Sequence, residues 1–145
     1  MRLYLTLSLI AIGAGAALSV AGTFLARHWS RKIGFVDKPG GHKAHAAPIA
    51  LGGGVAVTLA VVLPVLGGLL AARLLVGSQP TWLPEGLAPH LPGIVAQTPT
   101  ALGILAATVA VCLLGLMDDA RPLGAGIKFL IQLVIAAFLV CVLDL

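Results

Sequence analysis

The stretch LYLTLSLIAIGAGAALSVAGTFL, residues 3–25, carries no charged side chain. A helix needs roughly 20 consecutive apolar residues to cross the hydrocarbon core of a bilayer, and this run is long enough. Three further runs qualify, at about 49–76, 100–117 and 127–145, each bounded by charges, prolines or glycines. Composition agrees. Of the 145 residues 59% are hydrophobic and only 10% charged, with a mean hydropathy of +1.08. A soluble domain carries about 25% charged residues. The chain therefore reads as an all-α polytopic membrane protein, a single membrane domain with about four transmembrane helices. Pro64 interrupts the second run. In a membrane it is accommodated as a kink when neighbouring groups satisfy the carbonyl it frees.

A cleaved signal peptide is the competing reading of the first run, because the small residues from Ala14 to Ala21 can mimic a cleavage site. The length of the run, the single Arg2 before it and the basic cluster after it favour a retained span. Arg27, Arg31, Lys32, Lys38 and Lys43 lie between the first two spans, and Arg121 lies between the last two. The segment between the second and third spans has Glu85 and no Lys or Arg. The positive-inside rule then places loops 26–48 and 118–126 in the cytoplasm, with loop 77–99 and the N-terminus outside. Arg73, near the outer end of the second span, mildly opposes this orientation. Trp82 suits an interfacial anchor.

A net charge of +4 suits anionic lipid or an anionic substrate. It does not indicate nucleic acid, because there is no basic stripe with interleaved aromatics. Cys112 and Cys141 sit inside apolar runs without metal-ligand spacing and read as packing residues.

The two cytoplasmic loops hold the chemistry. The first places Asp37, Lys38, His42, Lys43 and His45 close together and ends at Gly52-Gly53-Gly54. Cations of this kind bind phosphate oxygens through charge-assisted hydrogen bonds. Glycines opening a helix favour an anion at its N-terminus. The plainer alternative is topology-setting charge on a flexible turn. In the second loop Asp118 and Asp119 follow the third span, while Lys128 stands near the start of the fourth. Both placements oppose the helix dipoles. Paired carboxylates facing a basic loop can bind a divalent cation or accept a proton. Lys128 can neutralise a phosphate or pair with Asp119. The alternative is an interfacial salt-bridge cluster of these aspartates with Arg121 and Lys128. Gln132, one turn beyond Lys128, continues a polar stripe into the bilayer.

At these loops the sequence resembles the polyprenyl-phosphate N-acetylhexosamine-1-phosphate transferases. The first match is Asp37-Lys38-Pro39, His42-Lys43, His45, Pro48-Ile49 and Gly52-Gly53; the second is Gly115-Leu116-Met117-Asp118-Asp119, Leu123, Lys128-Phe129 and Gln132. His42 stands where that family usually has Arg, replacing a permanent cation by a titratable one. Ala50 stands where Pro is usual. The resemblance implies a larger bundle of about ten helices, of which this chain is the N-terminal part, in the bacterial cytoplasmic membrane. It implies transfer of a sugar 1-phosphate from a UDP-sugar to undecaprenyl phosphate, with release of UMP and with Mg²⁺, or Mn²⁺ in its place. It also allows a homodimer. By motif position Asp118 and Asp119 correspond to the catalytic aspartate pair near the metal and lipid phosphate. Lys128 corresponds to the phosphate-contacting lysine, and Asp37, Lys38, His42, Lys43 and His45 to the substrate-positioning loop. The main metal ligands are expected beyond Leu145. The stretch from His45 to Gly53 favours the N-acetylglucosamine branch over the muramoyl-pentapeptide branch.

Two other classes remain as alternatives: a non-enzymatic four-helix membrane protein and a CDP-alcohol phosphotransferase. The latter needs further aspartates that Asp118-Asp119-Ala120-Arg121 does not introduce. Because family members are longer, the purified 145-residue chain is expected to be inactive with a UDP-sugar and undecaprenyl phosphate. Release of UMP by it would contradict this expectation.

Overall fold

The computed structural model describes residues 2–37, 49–78, 80–84 and 86–143. Four long helices dominate: α1 Arg2–Ile33, α2 Gly53–Leu75, α4 Thr98–Ala120 and α5 Ala125–Leu143. A short helix, α3 Leu91–Ala96, follows a single 3-10 turn at Ala88–His90. The first three long helices are each long and apolar enough to cross a membrane. The fourth is apolar but shorter, at 19 residues. The all-α membrane class is thus as expected, with one small addition. Strands β1 Val36–Asp37 and β2 Ile49–Ala50 form an antiparallel ribbon, Val36 opposite Ala50 and Asp37 opposite Ile49.

Helix ends differ from the hydropathy runs for local reasons. The first helix was expected to end near residue 25 but continues to Ile33. Residues Ala26 to Ile33 contain no Gly or Pro, so nothing stops the helix where apolarity stops. It ends in a Schellman motif: Gly34, at φ 75, donates to the Arg31 carbonyl, and the Phe35 N–H donates to that of Ser30. Arg27, Arg31 and Lys32 therefore ride on helix, not on loop. The second helix starts at Gly53 rather than 49, because Ile49 and Ala50 are taken up by the ribbon. The third begins at Thr98 with Pro99 in its first turn. It runs on through Ala120, since only at Arg121, which precedes Pro122, does the backbone become extended. The expected loop 118–126 shrinks to residues 121–124.

The described residues between 80 and 97 turn back on the end of α2. Ala72, Leu83 and Leu91 form a small core there, with Leu75, Val76, Leu87, Ala88 and Val95 around it. Arg73 lies in the last turn of α2, where a cation complements the helix dipole. That position has a local reason, whichever face it lies on.

Helix α1 packs along α2 and α4 along α5, and α2 touches α4. The α1–α2 contact is made of small residues. A Cβ at Gly22 would lie 3.2 Å from the Ala56 Cβ, and Ala56 and Ala60 are buried. Lipid tails are as apolar as Leu, so close backbone approach rather than the hydrophobic effect drives such contacts. Pro64 stays inside a continuous α2. Lacking an N–H, it leaves the Ala60 carbonyl without its usual donor. Gly15 of α1 passes close to that carbonyl, at 3.9 Å from the position of a Cβ. Cys112 is half-buried, whereas Cys141, expected to pack, is exposed on α5.

Replacing Gly22 by Leu should therefore wedge α1 from α2 and cost about 1–3 kcal/mol, the usual range for overpacking. Gly13→Leu, where a Cβ meets nothing within 4 Å, should cost far less. Thermal unfolding of both variants in one detergent reads the difference.

Candidate functional site

The described flanks of the two loops expected to share a membrane face meet at one end of the bundle. Four helix ends converge there: the C-termini of α1 and α4 and the N-termini of α2 and α5. The ribbon begins this convergence. It ties residue 36 to residue 50, and the Leu51 N–H extends it by donating to the Phe35 carbonyl at 3.2 Å. Ser30, on the last turn of α1 and only 6% exposed, donates its hydroxyl to the Leu51 carbonyl at 2.6 Å. The next residue, Gly52, caps α2 in the left-handed region at φ 84. Its N–H makes a long hydrogen bond, 3.4 Å, to Oδ2 of Asp119.

Asp118 and Asp119 are in the last turn of α4, against the negative end of its dipole. They are compensated in different ways. Oδ2 of Asp118 accepts from the Lys128 ammonium at 2.8 Å, and Oδ1 from the Leu123 N–H at 2.8 Å. The tight turn through Pro122 makes both contacts possible, because it returns the chain to the carboxylate within five residues. Lys128, also misplaced with respect to its own helix dipole, is offset by the same pair. The sequence left Lys128 free to pair with Asp119; the structure pairs it with Asp118. Arg121, proposed as a member of the cluster, is exposed and forms no ion pair among the described residues.

Asp119 points the other way, to the N-terminus of α2, where a negative charge is favoured. Its Oδ1 has no hydrogen-bond partner among the described residues. The two adjacent carboxylates are therefore unlike: Asp118 has both oxygens engaged, and Asp119 keeps one open. The Lys128 ammonium uses one of its three donors on Asp118 and retains two.

From Asp119 an open groove of about 770 Å³ runs between α2, α4 and α5. Its lining is mostly apolar, with Thr58, Thr108 and Gln132 among the polar residues and Cys112 on its wall. Gln132 thus extends polarity inward from the Lys128 turn, as its spacing suggests. The volume is within the range of small-molecule and lipid pockets, roughly 300–1,000 Å³.

Of the other sequence candidates, Asp37 contributes its backbone to β1, and its side chain lies outside the described residues. Lys38, His42, Lys43 and His45 also lie outside them. The ribbon nevertheless fixes where their loop starts and ends, beside the Gly52–Asp119 contact. Among the described residues no group of three or more His, Cys, Asp or Glu side chains gathers to hold a metal ion. Mg²⁺ commonly takes one or two carboxylates and completes its shell with substrate phosphates and water. Asp119, with its open oxygen, fits that limited role.

Sequence reasoning missed Ser30 and the Leu123 N–H. Nothing local marks Ser30 as the partner of a residue 21 positions on. Comparison with protein-family models, with curated proteins and with solved structures gives no match.

Gly52→Ala should destabilise by about 1–2 kcal/mol from the left-handed backbone alone, since the nearest atoms to an added Cβ are at 3.7 Å and leave room. Gly53→Ala, in helix with nothing within 4 Å, should be neutral or stabilising. Ser30→Ala should lose about 1 kcal/mol, the ordinary worth of one hydrogen bond. Equal Tm values for Gly52→Ala and Gly53→Ala would show that Gly52 is not held as described.

Proposed function

We propose that this membrane protein belongs to an enzyme that transfers a sugar 1-phosphate from a UDP-sugar to a polyprenyl phosphate. The observation that carries the reading is the divided aspartate pair. One carboxylate is locked to Lys128, and the other is open at the head of an apolar groove and beside the ends of a basic loop. N-acetylglucosamine is the favoured sugar, from the motif resemblance, with the muramoyl-pentapeptide branch as the second choice. The site would face the cytoplasm of a bacterium, by the charge asymmetry of the loops.

The reaction needs little activation of the nucleophile. An oxygen of the lipid phosphate attacks the phosphorus that bears the sugar. A new P–O–P bridge forms, the bond to the uridylyl phosphate breaks, and UMP leaves with the electron pair. The barrier is the approach of two anions, so fixed positive charge matters most. Lys128 supplies such a charge, held in place by Asp118, and has donors left for a phosphate oxygen. Lys38, Lys43, His42 and His45 would add to it from the loop, with Asp37 positioning that loop. Asp119 would orient the attacking phosphate, take up its proton when it arrives protonated, or ligate Mg²⁺. The ion would lower the repulsion between the substrates and stabilise charge on the departing UMP. The groove gives the lipid chain an apolar path while its phosphate stays at Asp119.

A non-enzymatic reading has one specific observation in its favour. The Asp118–Lys128 pair and the Leu123 contact also make sense as a structural lock at a helix turn. The aspartates separate the two readings. In the protein as expressed from its gene, assayed with UDP-N-acetylglucosamine, undecaprenyl phosphate and Mg²⁺, Asp119→Asn should lower kcat by about 100-fold or more, the lower end for loss of an acid–base group. Asp118→Asn should act through Lys128, with a smaller loss and a raised KM for the lipid phosphate. EDTA should abolish UMP release and Mg²⁺ restore it. No UMP release from the wild-type protein as expressed from its gene, as distinct from the purified 145-residue chain, or an Asp119→Asn variant of it as fast as wild type, would sink the proposal.

A further inference from the structure

The last two turns of α1 carry a surface that the candidate site does not use. Arg27, His28, Arg31 and Lys32, with Phe24, line an open hollow of about 540 Å³. Arg27 and Arg31 are four residues apart, as are His28 and Lys32, so the two pairs stand side by side on one face. All four are exposed, and α1 contains no acidic residue to pair with them. Like charges at this spacing repel one another, so the cluster favours an anion from outside. The Lys32 ammonium also lies 6.0 Å from the centroid of the Trp29 ring.

Depth identifies that anion. The apolar run of α1 ends at Leu25. At 1.5 Å per residue, Arg27 to Lys32 stand about 3–10 Å beyond it. The headgroup layer on each side of a bilayer is about 5–8 Å thick. The cluster therefore begins inside the headgroup layer at Arg27 and His28 and reaches its outer edge at Arg31 and Lys32, whose long side chains can turn back to the lipid phosphates. Trp29 is an aromatic typical of this depth, and Phe24, one turn deeper, meets acyl chains. None of these residues lines the groove at Asp119.

We infer that this face of α1 is a binding site for the headgroup of an anionic phospholipid in the leaflet at the Asp119 end. The guanidinium groups of Arg27 and Arg31 engage the phosphodiester oxygens in the paired geometry that Arg favours. His28 and Lys32 flank them, and the acyl chains run down past Phe24. A soluble phosphate would match the charge but not the depth or the apolar floor. The inference rests on the membrane-spanning fold and not on the proposed enzymatic activity.

The chain has two tryptophans, so Trp82→Phe leaves Trp29 as the sole fluorophore. This variant is reconstituted in phosphatidylcholine vesicles containing graded amounts of brominated phosphatidylglycerol or brominated phosphatidylcholine. Quenching of Trp29 should show at least about a fivefold preference for the anionic lipid, the equivalent of ~1 kcal/mol for each basic residue engaged near an anionic surface. Adding Arg27→Gln and Arg31→Gln should bring the preference close to one, while Arg73→Gln, at the other end of the bundle, should leave it unchanged. In about 1 M salt, where the Debye length is only about 3 Å, the parent should lose most of the preference without any change in the site. Equal quenching by the two lipids in the parent overturns the inference. So does a preference that survives the double substitution or high salt.

Discussion

Asp118 and Asp119 stand where their own helix repels them, and the helix ends around them are arranged to offset that repulsion. One carboxylate is met by a lysine and a backbone N–H from the next turn. The other is met by the N-terminus of α2. Each solution demands geometry elsewhere. For Asp118, the chain must reverse within residues 121–124, which Pro122 enforces by ending the helix at Arg121. For Asp119, α2 must begin beside the end of α4, and Gly52 must adopt the left-handed backbone that aims its N–H outward. Ser30, which the continuation of α1 past the apolar run brings to this end, holds the preceding carbonyl. Three helix termini are thus tied together by one pair of misplaced charges, and Ser30 joins the fourth to them through Leu51.

A bundle in lipid needs such ties more than a soluble one does. Burying Leu against Leu contributes little when the alternative is Leu against lipid. Many large apolar side chains accordingly face outward, from Leu9 and Ile12 on α1 to Phe129 and Val134 on α5. Contacts that hold the helices are of two other kinds. Small residues let α1 and α2 approach at Gly22 and Ala56. Polar contacts fix the end at Asp119. The groove between α2, α4 and α5 runs on from the polar end at Asp119.

Apolarity reveals the long helices, because the length of an apolar run responds to bilayer thickness. It does not reveal where a helix stops once it leaves the bilayer. Residues 26–33 carry Arg27, His28, Arg31 and Lys32, yet are helical, since propensity and not hydropathy decides there. Gly34 and the step from Arg121 to Pro122 are better stop signals, and both are readable. At the site, the aspartates and Lys128 are legible as charges that oppose a dipole. Their pairing is not, since either aspartate lies within reach of a lysine nine or ten residues away. Only the direction of the turn at Pro122 decides between them. Ser30 is illegible for a different reason: its partner is distant in sequence, and a serine among arginines carries no mark of burial.

The unlike surroundings of the two aspartates bear on what each can do in any chemistry at this end of the bundle. A carboxylate with both oxygens engaged and an ammonium beside it is a poorer proton acceptor or metal ligand than one with an open oxygen, and giving up Lys128 would release the very charge a phosphate needs nearby. Asp118 is therefore suited to hold the lysine. Asp119 loses little by taking a new partner, because its bond to Gly52 is long and its other oxygen is open. Its neighbour on the groove side is apolar surface, where a bound charge is less screened than in water. Division of labour between adjacent identical residues thus follows from a single turn of backbone: α4 presents consecutive side chains about 100° apart, one toward α5 and one toward α2.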